Sequence, residues 1–175
     1  MRFAYADPPY LGMGARFYGD RHPDAGDWDR PETHEALIDR LSAFDAWAMS
    51  LSSTTLRVIL PLCPYDARVG AWVKPFASFK PGVNPAYAWE PVVFHGGRKR
   101  DRKARTVRDW VSVEIALRRG CPGAKPAAMC WWLFDFLGVE PDDEFHDLFP
   151  GSGAVQRAWE SWCRVNRGFP LLEAL

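Results

Sequence analysis

The sequence predicts an α/β layered sheet, and three observations carry that prediction. Short apolar or β-branched runs alternate with helix-spaced segments along the chain. Near the end, "EFHDLF" (144–149), "PGSG" and the helical pattern from Ala154 give strand, glycine turn and helix in succession. The chain has 175 residues, 47% of them apolar and 14% aromatic, which is enough for one domain, 1–175, with a real core.

Bulk properties narrow the class. Lys plus Arg and Asp plus Glu stand at 22 each, so net charge alone predicts no polyanion partner. No apolar run reaches membrane-spanning length and the N-terminus lacks a secretory pattern, so the expectation is a cytoplasmic protein. Cys63, Cys121, Cys130 and Cys163 show no C-x-x-C spacing, and His22, His34, His95 and His146 show no ligand spacing. Reduced thiols and no metal are expected.

The elements follow in order. Arg2 to Ala6 is the first strand, followed by a loop to about Asp29. "DRPE" then starts a helix, with Asp29 as cap, Pro31 in the first turn and Glu32 three residues after the cap. Leu37, Leu41, Phe44 and Ala48 keep helical spacing, which carries that helix to about Ser50. "LRVIL" (56–60) reads as a buried strand, and a short helix is expected over Ala67 to Val73. A proline-broken segment runs from Pro75 to Pro85, and "YAWEPVVFHGG" (87–97) is a strand bent at Pro91 and ended by two glycines. Pro126 favours a helix start, apolar residues fill Ala127 to Leu137, and Gly138 stops it. Ala154 to Trp162 is the last helix expected. The aromatic residues Trp131, Trp132, Phe134 and Phe136, with Trp159 and Trp162, read as core packing rather than as a base-stacking platform.

Two stretches point to chemistry. "DPPY" (7–10) lies directly behind the first strand, where two prolines end the strand and stiffen a corner between a carboxylate and an aromatic ring. In "HDLFPGSGAVQRAW" (146–159), Gly151 and Gly153 allow close backbone approach to a ligand, and the following helix offers free amides. A turn that merely reverses the chain is the alternative for this loop. A basic run, Arg98, Lys99, Arg100, Arg102, Lys103, Arg105 and Arg108, reads either as phosphate contact or as a solvated loop. Leu11 to Trp28 is either a segment that closes over a ligand or a turn.

DPPY near the start and D-x-F-x-G-x-G near the end together resemble the S-adenosylmethionine-dependent amino-methyltransferases that modify adenine N6 or cytosine N4 of DNA. With DPPY first and the glycine loop last, the order is that of the family's permuted β-group. "WEPVVF" is similar to its late strand, and "AKP" (124–126) to the Lys-Pro element before the cofactor loop. A DPPY string arises by chance in about one chain in a thousand of this length. The resemblance implies a Rossmann-like methyltransferase sheet, circularly permuted, and S-adenosylmethionine as methyl donor. It implies Asp7, Pro8, Pro9 and Tyr10 as the catalytic element. The Asp7 carboxylate and the Pro8 carbonyl would accept the two amino protons, and Tyr10 would stack on an extruded base. It assigns Lys125, Pro126, Asp147, Phe149, Gly151, Ser152 and Gly153 to the donor, with Asp147 meeting its ammonium group. It makes DNA the partner and favours phosphate contact for Arg98, Lys99, Arg100, Arg102, Lys103 and Arg105.

The family chain continues through two more strands after the glycine loop, the first ending in an acid that holds the donor's ribose. Here only "CRVNRGFPLLEAL" remains, so one or both strands are expected to be lacking, with Glu173 as that acid or part of a frayed tail. The adenosine half of the donor pocket is then either incomplete or finished by a second chain, a homodimer included. The function expected is methyl transfer to an exocyclic amine of DNA, adenine N6 because Asp7 opens the motif. The alternative is a degenerate relative that binds nucleic acid or cofactor without turnover. RNA or a protein amide as acceptor is a third reading, and Asp7 argues against the protein amide.

Overall fold

A computed structural model describes residues 1–20, 22–75, 82–115 and 124–168. The strands are β1 (Arg2–Ala6), β2 (Ala46–Ser50), β3 (Arg68–Val73), β4 (Trp89–Gly96), β5 (Trp110–Ser112) and β6 (Glu144–Asp147). The helices are α1 (Gly14–Tyr18), α2 (Pro31–Leu41), α3 (Leu56–Ile59), α4 (Ala127–Leu137) and α5 (Ala154–Asn166), with 3₁₀ turns at Pro23–Asp29 and Leu60–Leu62. They build the expected α/β class as one mixed sheet of order β5-β3-β4-β2-β1-β6. β1 is parallel to both β2 and β6, and β4 is antiparallel to β2 and β3.

Alternation along β1 and β2 decides which helix covers which face. Phe3, Tyr5, Ala46 and Ala48 join Met129, Leu133 and Phe134 of α4 and Val155, Ala158 and Trp162 of α5 in one apolar cluster. Ala4, Ala6, Trp47 and Met49 join Leu37, Ile38 and Leu41 of α2 and Ile59 of α3 in the other. The aromatic residues expected in the core are there: Trp132, Phe134 and Trp162 are buried, and Trp131, Phe136 and Trp159 pack against them. The helix after β1 therefore lies on one face and the helix after β6 on the other. Two adjacent parallel strands whose chains leave toward opposite faces open a crevice at their C-terminal ends.

Three element expectations are corrected. The helix from Pro31 ends at Leu41, and Ala46–Ser50 is a strand. β2 is central, with all five residues buried, so it shows no alternation and its apolar run imitated the helix periodicity before it. "LRVIL" is helical, because its apolar residues Leu56, Ile59 and Leu60 serve one packed face and tertiary contact overrides β-branched propensity. Ala67 to Val73 holds strand β3 instead of a helix. Gly70 in its middle admits close neighbours: a Cβ there would stand 2.9 Å from the Asp109 carbonyl oxygen and 3.2 Å from Trp132.

The loop before α2 is also more ordered than expected. Asp29 does not cap α2, whose N-cap is Arg30. Its carboxylate instead accepts the backbone N–H groups of Gly14 and Ala15 at 2.7 and 3.1 Å, at the start of α1. Much of the proline-broken segment (76–81), Cys121 and Glu173 lie outside the described residues.

Candidate active site at the C-terminal ends of the strands

Residue parity builds the site. Tyr5 points to the α4 face from β1, and Asp7 follows two residues later, just past the strand, with Pro8-Pro9 ending the pairing. On β4, Glu90 shares that face with Val92 and Phe94, and Lys74 follows Trp72 off the end of β3. Lys125 immediately precedes Pro126, the N-cap of α4, whose helix leans across the same face.

The charges of these residues touch in sequence. Lys125 Nζ donates to Asp7 Oδ1 at 2.8 Å and stands 2.9 Å from Glu90 Oε1. Lys74 Nζ donates to Glu90 Oε2 at 2.8 Å. The Tyr10 hydroxyl donates to Asp7 Oδ1 at 3.3 Å, and Lys125 Nζ lies 3.4 Å from that hydroxyl. The Trp72 ring holds Lys74 Nζ at 4.4 Å and Lys125 Nζ at 5.7 Å from its centroid. Beneath them, the buried Tyr5 hydroxyl and Ser50 Oγ share a hydrogen bond of 2.7 Å.

Burial sets the electrostatics. It pushes the Asp7 carboxyl upward, Lys125 opposes that, and the nearby charge of Glu90 adds to the rise. Burial also acts on Glu90, but the ammonium groups of Lys125 and Lys74 outweigh it and hold its carboxyl down at about 2. Lys125, despite burial, is held well above the ordinary lysine range by Asp7 and Glu90. Two carboxylates and two ammonium groups thus stabilise each other in a place that water reaches poorly.

Across the crevice, β6 brings Asp147 beside Tyr5 in register. Asp147 Oδ1 accepts the Phe149 N–H at 3.1 Å, while Oδ2 is buried with no hydrogen-bond partner among the described residues. Burial raises its carboxyl, and the charge of Asp7 raises it further. Gly151 and Gly153 adopt φ of +42° and +70°, and Gly153 is the N-cap of α5. The Arg157 guanidinium donates to the Ser152 carbonyl at 3.0 Å, which ties the glycine loop to the first turn of the helix. Phe149 packs edge-on against Trp28, with ring centroids 5.1 Å apart.

The structure therefore gathers Asp7, Tyr10 and Lys125 into one cluster, with Pro8 and Pro9 in the chain between Asp7 and Tyr10. Asp147, Phe149, Gly151, Ser152 and Gly153 lie on the neighbouring strand and turn. Lys125, expected beside the donor, has its ammonium on Asp7. Sequence reasoning missed Glu90 and Lys74. The signal was a lone acid in "WEPVVF" and a lysine closing "GAWVK", charges at inward positions of apolar strands.

The basic run lies elsewhere. Glu90 and Gly96 mark opposite ends of β4, roughly 20 Å apart at the rise of a strand. Arg98 follows Gly96, and its guanidinium is held by both oxygens of Asp143 at 2.6 and 2.8 Å and by Glu140 at 3.2 Å. Lys99, Arg100, Arg102, Lys103 and Arg105 are exposed. Among the described residues no group of three or more His, Cys, Asp or Glu side chains is placed to hold a metal ion, and no helix is long and apolar enough to cross a membrane. Cys63, Cys130 and Cys163 are free thiols.

No protein-family model matches this sequence, and no curated protein matches it. Solved structures do resemble it. M1.HpyAVI in complex with S-adenosylmethionine superposes with a TM-score of 0.58 at 15% identity, over 92% of this chain and 78% of that one. TTHA0409 of Thermus thermophilus, described as a candidate DNA modification methylase, gives 0.54 at 14% identity over 91% and 76%. Its complex with S-adenosyl-L-methionine gives 0.52 at 15% over 89% and 75%. At such identities the likeness is one of fold: this chain shares the α/β fold of M1.HpyAVI and TTHA0409.

Proposed function

We propose that this chain transfers a methyl group from S-adenosylmethionine to an exocyclic amino group of a base in DNA, with adenine N6 as acceptor. The observation that carries this reading is the second oxygen of Asp7. Oδ1 is occupied by Lys125 and Tyr10, whereas Oδ2 accepts no hydrogen bond among the described residues. The exocyclic amine of adenine is a poor nucleophile because its lone pair is delocalised into the ring. A carboxylate oxygen that accepts one amino proton, with the Pro8 carbonyl accepting the other, favours a more tetrahedral nitrogen whose lone pair can attack. The two prolines fix the direction of that carbonyl. Tyr10 offers a ring face to a base extruded from the duplex, where the amine is otherwise out of reach.

The residues present also suit the donor. S-adenosylmethionine supplies an electrophilic methyl group on a sulfonium and carries an ammonium, a positive charge that suits the side of the crevice where Asp147 stands without a cation partner among the described residues. Asp147 Oδ2, buried without a partner, is the acceptor for that ammonium. Gly151, Ser152 and Gly153 admit the donor close to the backbone, and Lys125 and Pro126 wall the side toward Asp7. Support comes from the fold as well, since M1.HpyAVI and TTHA0409 are both described with S-adenosylmethionine. The DPPY strand comes first in the chain and the glycine-loop strand last, and the two are neighbours in the sheet, an arrangement that suits the permuted order.

The exposed basic residues Lys99, Arg100, Arg102, Lys103 and Arg105 are assigned to sequence-independent phosphate contact, on a part of the duplex away from the extruded base. The test is methyl transfer from tritiated donor to adenine-containing DNA, followed by digestion to nucleosides. The label is expected on N6-methyldeoxyadenosine and absent with Asp7→Ala. Label on cytosine would move the acceptor to N4. No label from a protein that binds the donor would overturn the reading.

A further inference from the structure

Behind Asp7 the charges continue beyond what amine capture requires. Asp7, Lys125, Glu90 and Lys74 form an unbranched row whose links measure 2.8, 2.9 and 2.8 Å. The row starts at the crevice and ends toward solvent at Lys74, with Lys125 and Glu90 enclosed between them at 5% and 8% side-chain exposure. It is neutral as a whole. Trp72 lies beneath both ammonium groups, and its own indole N–H is anchored on the Val113 carbonyl at 2.8 Å.

We infer that Glu90 is a positioning residue for Asp7, acting through Lys125, with Lys74 holding its far oxygen. The inference rests on the methyltransferase reading above. A lysine ammonium is a compact charge with three rotatable donors on a flexible stem, so one anion does not fix its direction. Lys125 Nζ donates to Asp7 Oδ1 and the Tyr10 hydroxyl, and the Glu90 carboxylate, an ion pair at 2.9 Å without a hydrogen bond to Oε1, holds the ammonium in that orientation by charge. That orientation engages Asp7 through Oδ1 alone and leaves Oδ2 without a hydrogen bond among the described residues. Without Glu90, Lys125 is free to swing over both oxygens of Asp7, and the acceptor aimed at the amine is lost. Lys74 keeps Glu90 ionised and in place, since an unpaired buried carboxylate would take up a proton instead.

The other groups facing Asp7 are weaker substitutes for this control. Tyr10 and Tyr5 are neutral phenols whose ionisation burial pushes well above its ordinary range. Cys130 on α4 is a neutral thiol, pushed up to about 12 by burial. Asp147 on β6 contributes a like charge from across the crevice. Glu90 and Lys125 are thus the charges on which the ionisation of Asp7 chiefly depends.

The test follows the Asp7 carboxyl itself by carbon-13 NMR titration, assigned by the resonance that Asp7→Asn removes. It is run on the wild type, on Glu90→Gln and on the charge-balanced pair Lys74→Met with Glu90→Gln. The pair leaves only Asp7 and Lys125 charged, so it folds without a stranded ammonium. Removing the negative charge of Glu90 is expected to lower the Asp7 midpoint in both variants, by about half to one pH unit. The methyl-transfer kcat is expected to fall about 10- to 100-fold while KM for the donor holds. An unmoved Asp7 midpoint in the folded double variant would overturn the inference, as would an unchanged kcat. A midpoint that moves in a protein whose wild type transfers no methyl group would instead defeat the methyltransferase reading and leave the coupling demonstrated.

Discussion

The two ends of the sheet use the same ingredients, carboxylates and cations, to opposite effect. At the N-terminal end Arg98 meets Asp143 through two short bonds, and Asp143 also accepts the Glu140 N–H at 2.7 Å. Burial acts to raise the Asp143 carboxyl, but hydrogen bonds from the terminal amine, Arg98 and Glu140 hold it below the usual range. Both of its oxygens are taken. At the C-terminal end Lys125 and Glu90 are as enclosed as Asp143, and Asp7 is raised. Glu90 Oε1 and Asp147 Oδ2 are buried without a hydrogen-bond partner among the described residues, and Asp7 bonds through Oδ1 alone. A fully satisfied charge cluster ties chain segments together, whereas an incompletely satisfied buried one is disposed to take a ligand.

The contrast can be broken most forcefully at Lys125. Lys125→Met leaves the buried Glu90 on Lys74 alone and the half-buried Asp7 without a cation, and is expected to cost about 3–5 kcal/mol in urea unfolding. Arg98→Met, at a partly exposed pair, should cost about 1 kcal/mol or less in the same experiment. Equal losses would show that the two ends do not differ in kind.

Asp7→Asn keeps the shape and removes the charge. Methyl transfer should drop at least about 100-fold, with donor affinity within about twofold of the wild type. A parallel loss of donor binding would place Asp7 in the donor pocket rather than at the amine.

Acid should separate the two carboxylates of the C-terminal end by sign. The Asp7 carboxyl is raised, so the acid limb of the methyl-transfer rate should lie above the ordinary aspartate midpoint of about 3.9. Activity is present above that limb and lost as pH falls through it. Glu90 is lowered from 4.5 to about 2, so its contribution to stability is complete above 4.5 and disappears as pH falls toward 2. Glu90→Gln should therefore flatten the stability profile between those values. A profile identical to the wild type would remove Glu90 from the account of stability.

Much of the candidate site was legible because its signals are local. DPPY and the glycine loop each carry their chemistry within a few consecutive residues, and Lys125-Pro126 marks a helix start. Which residues complete the site depends on strand register, which spacing alone does not reveal. Glu90 and Lys74 became visible only when β3 and β4 were paired, with Trp72 opposite Glu90. The same reason explains the fold's misread elements. β2 is buried on both faces and β3 contains a glycine at a close approach, so neither shows the clean alternation of a half-buried strand. β1, β4, α4 and α5, with marked ends at Pro8, Gly97, Gly138 and Gly153, were read close to their observed bounds.

The central claim is that the crevice between β1 and β6 takes a cationic methyl donor through Asp147. Calorimetry with S-adenosylmethionine tests it most directly, comparing the wild type, Asp147→Ala and Arg167→Met. Arg167 pairs with the exposed Asp142 at the far end of α5 and serves as the control. Micromolar binding is predicted in the wild type and Arg167→Met, with a loss of about tenfold or more in Asp147→Ala. Equal binding in all three proteins, or none in the wild type at high donor concentration, would contradict it.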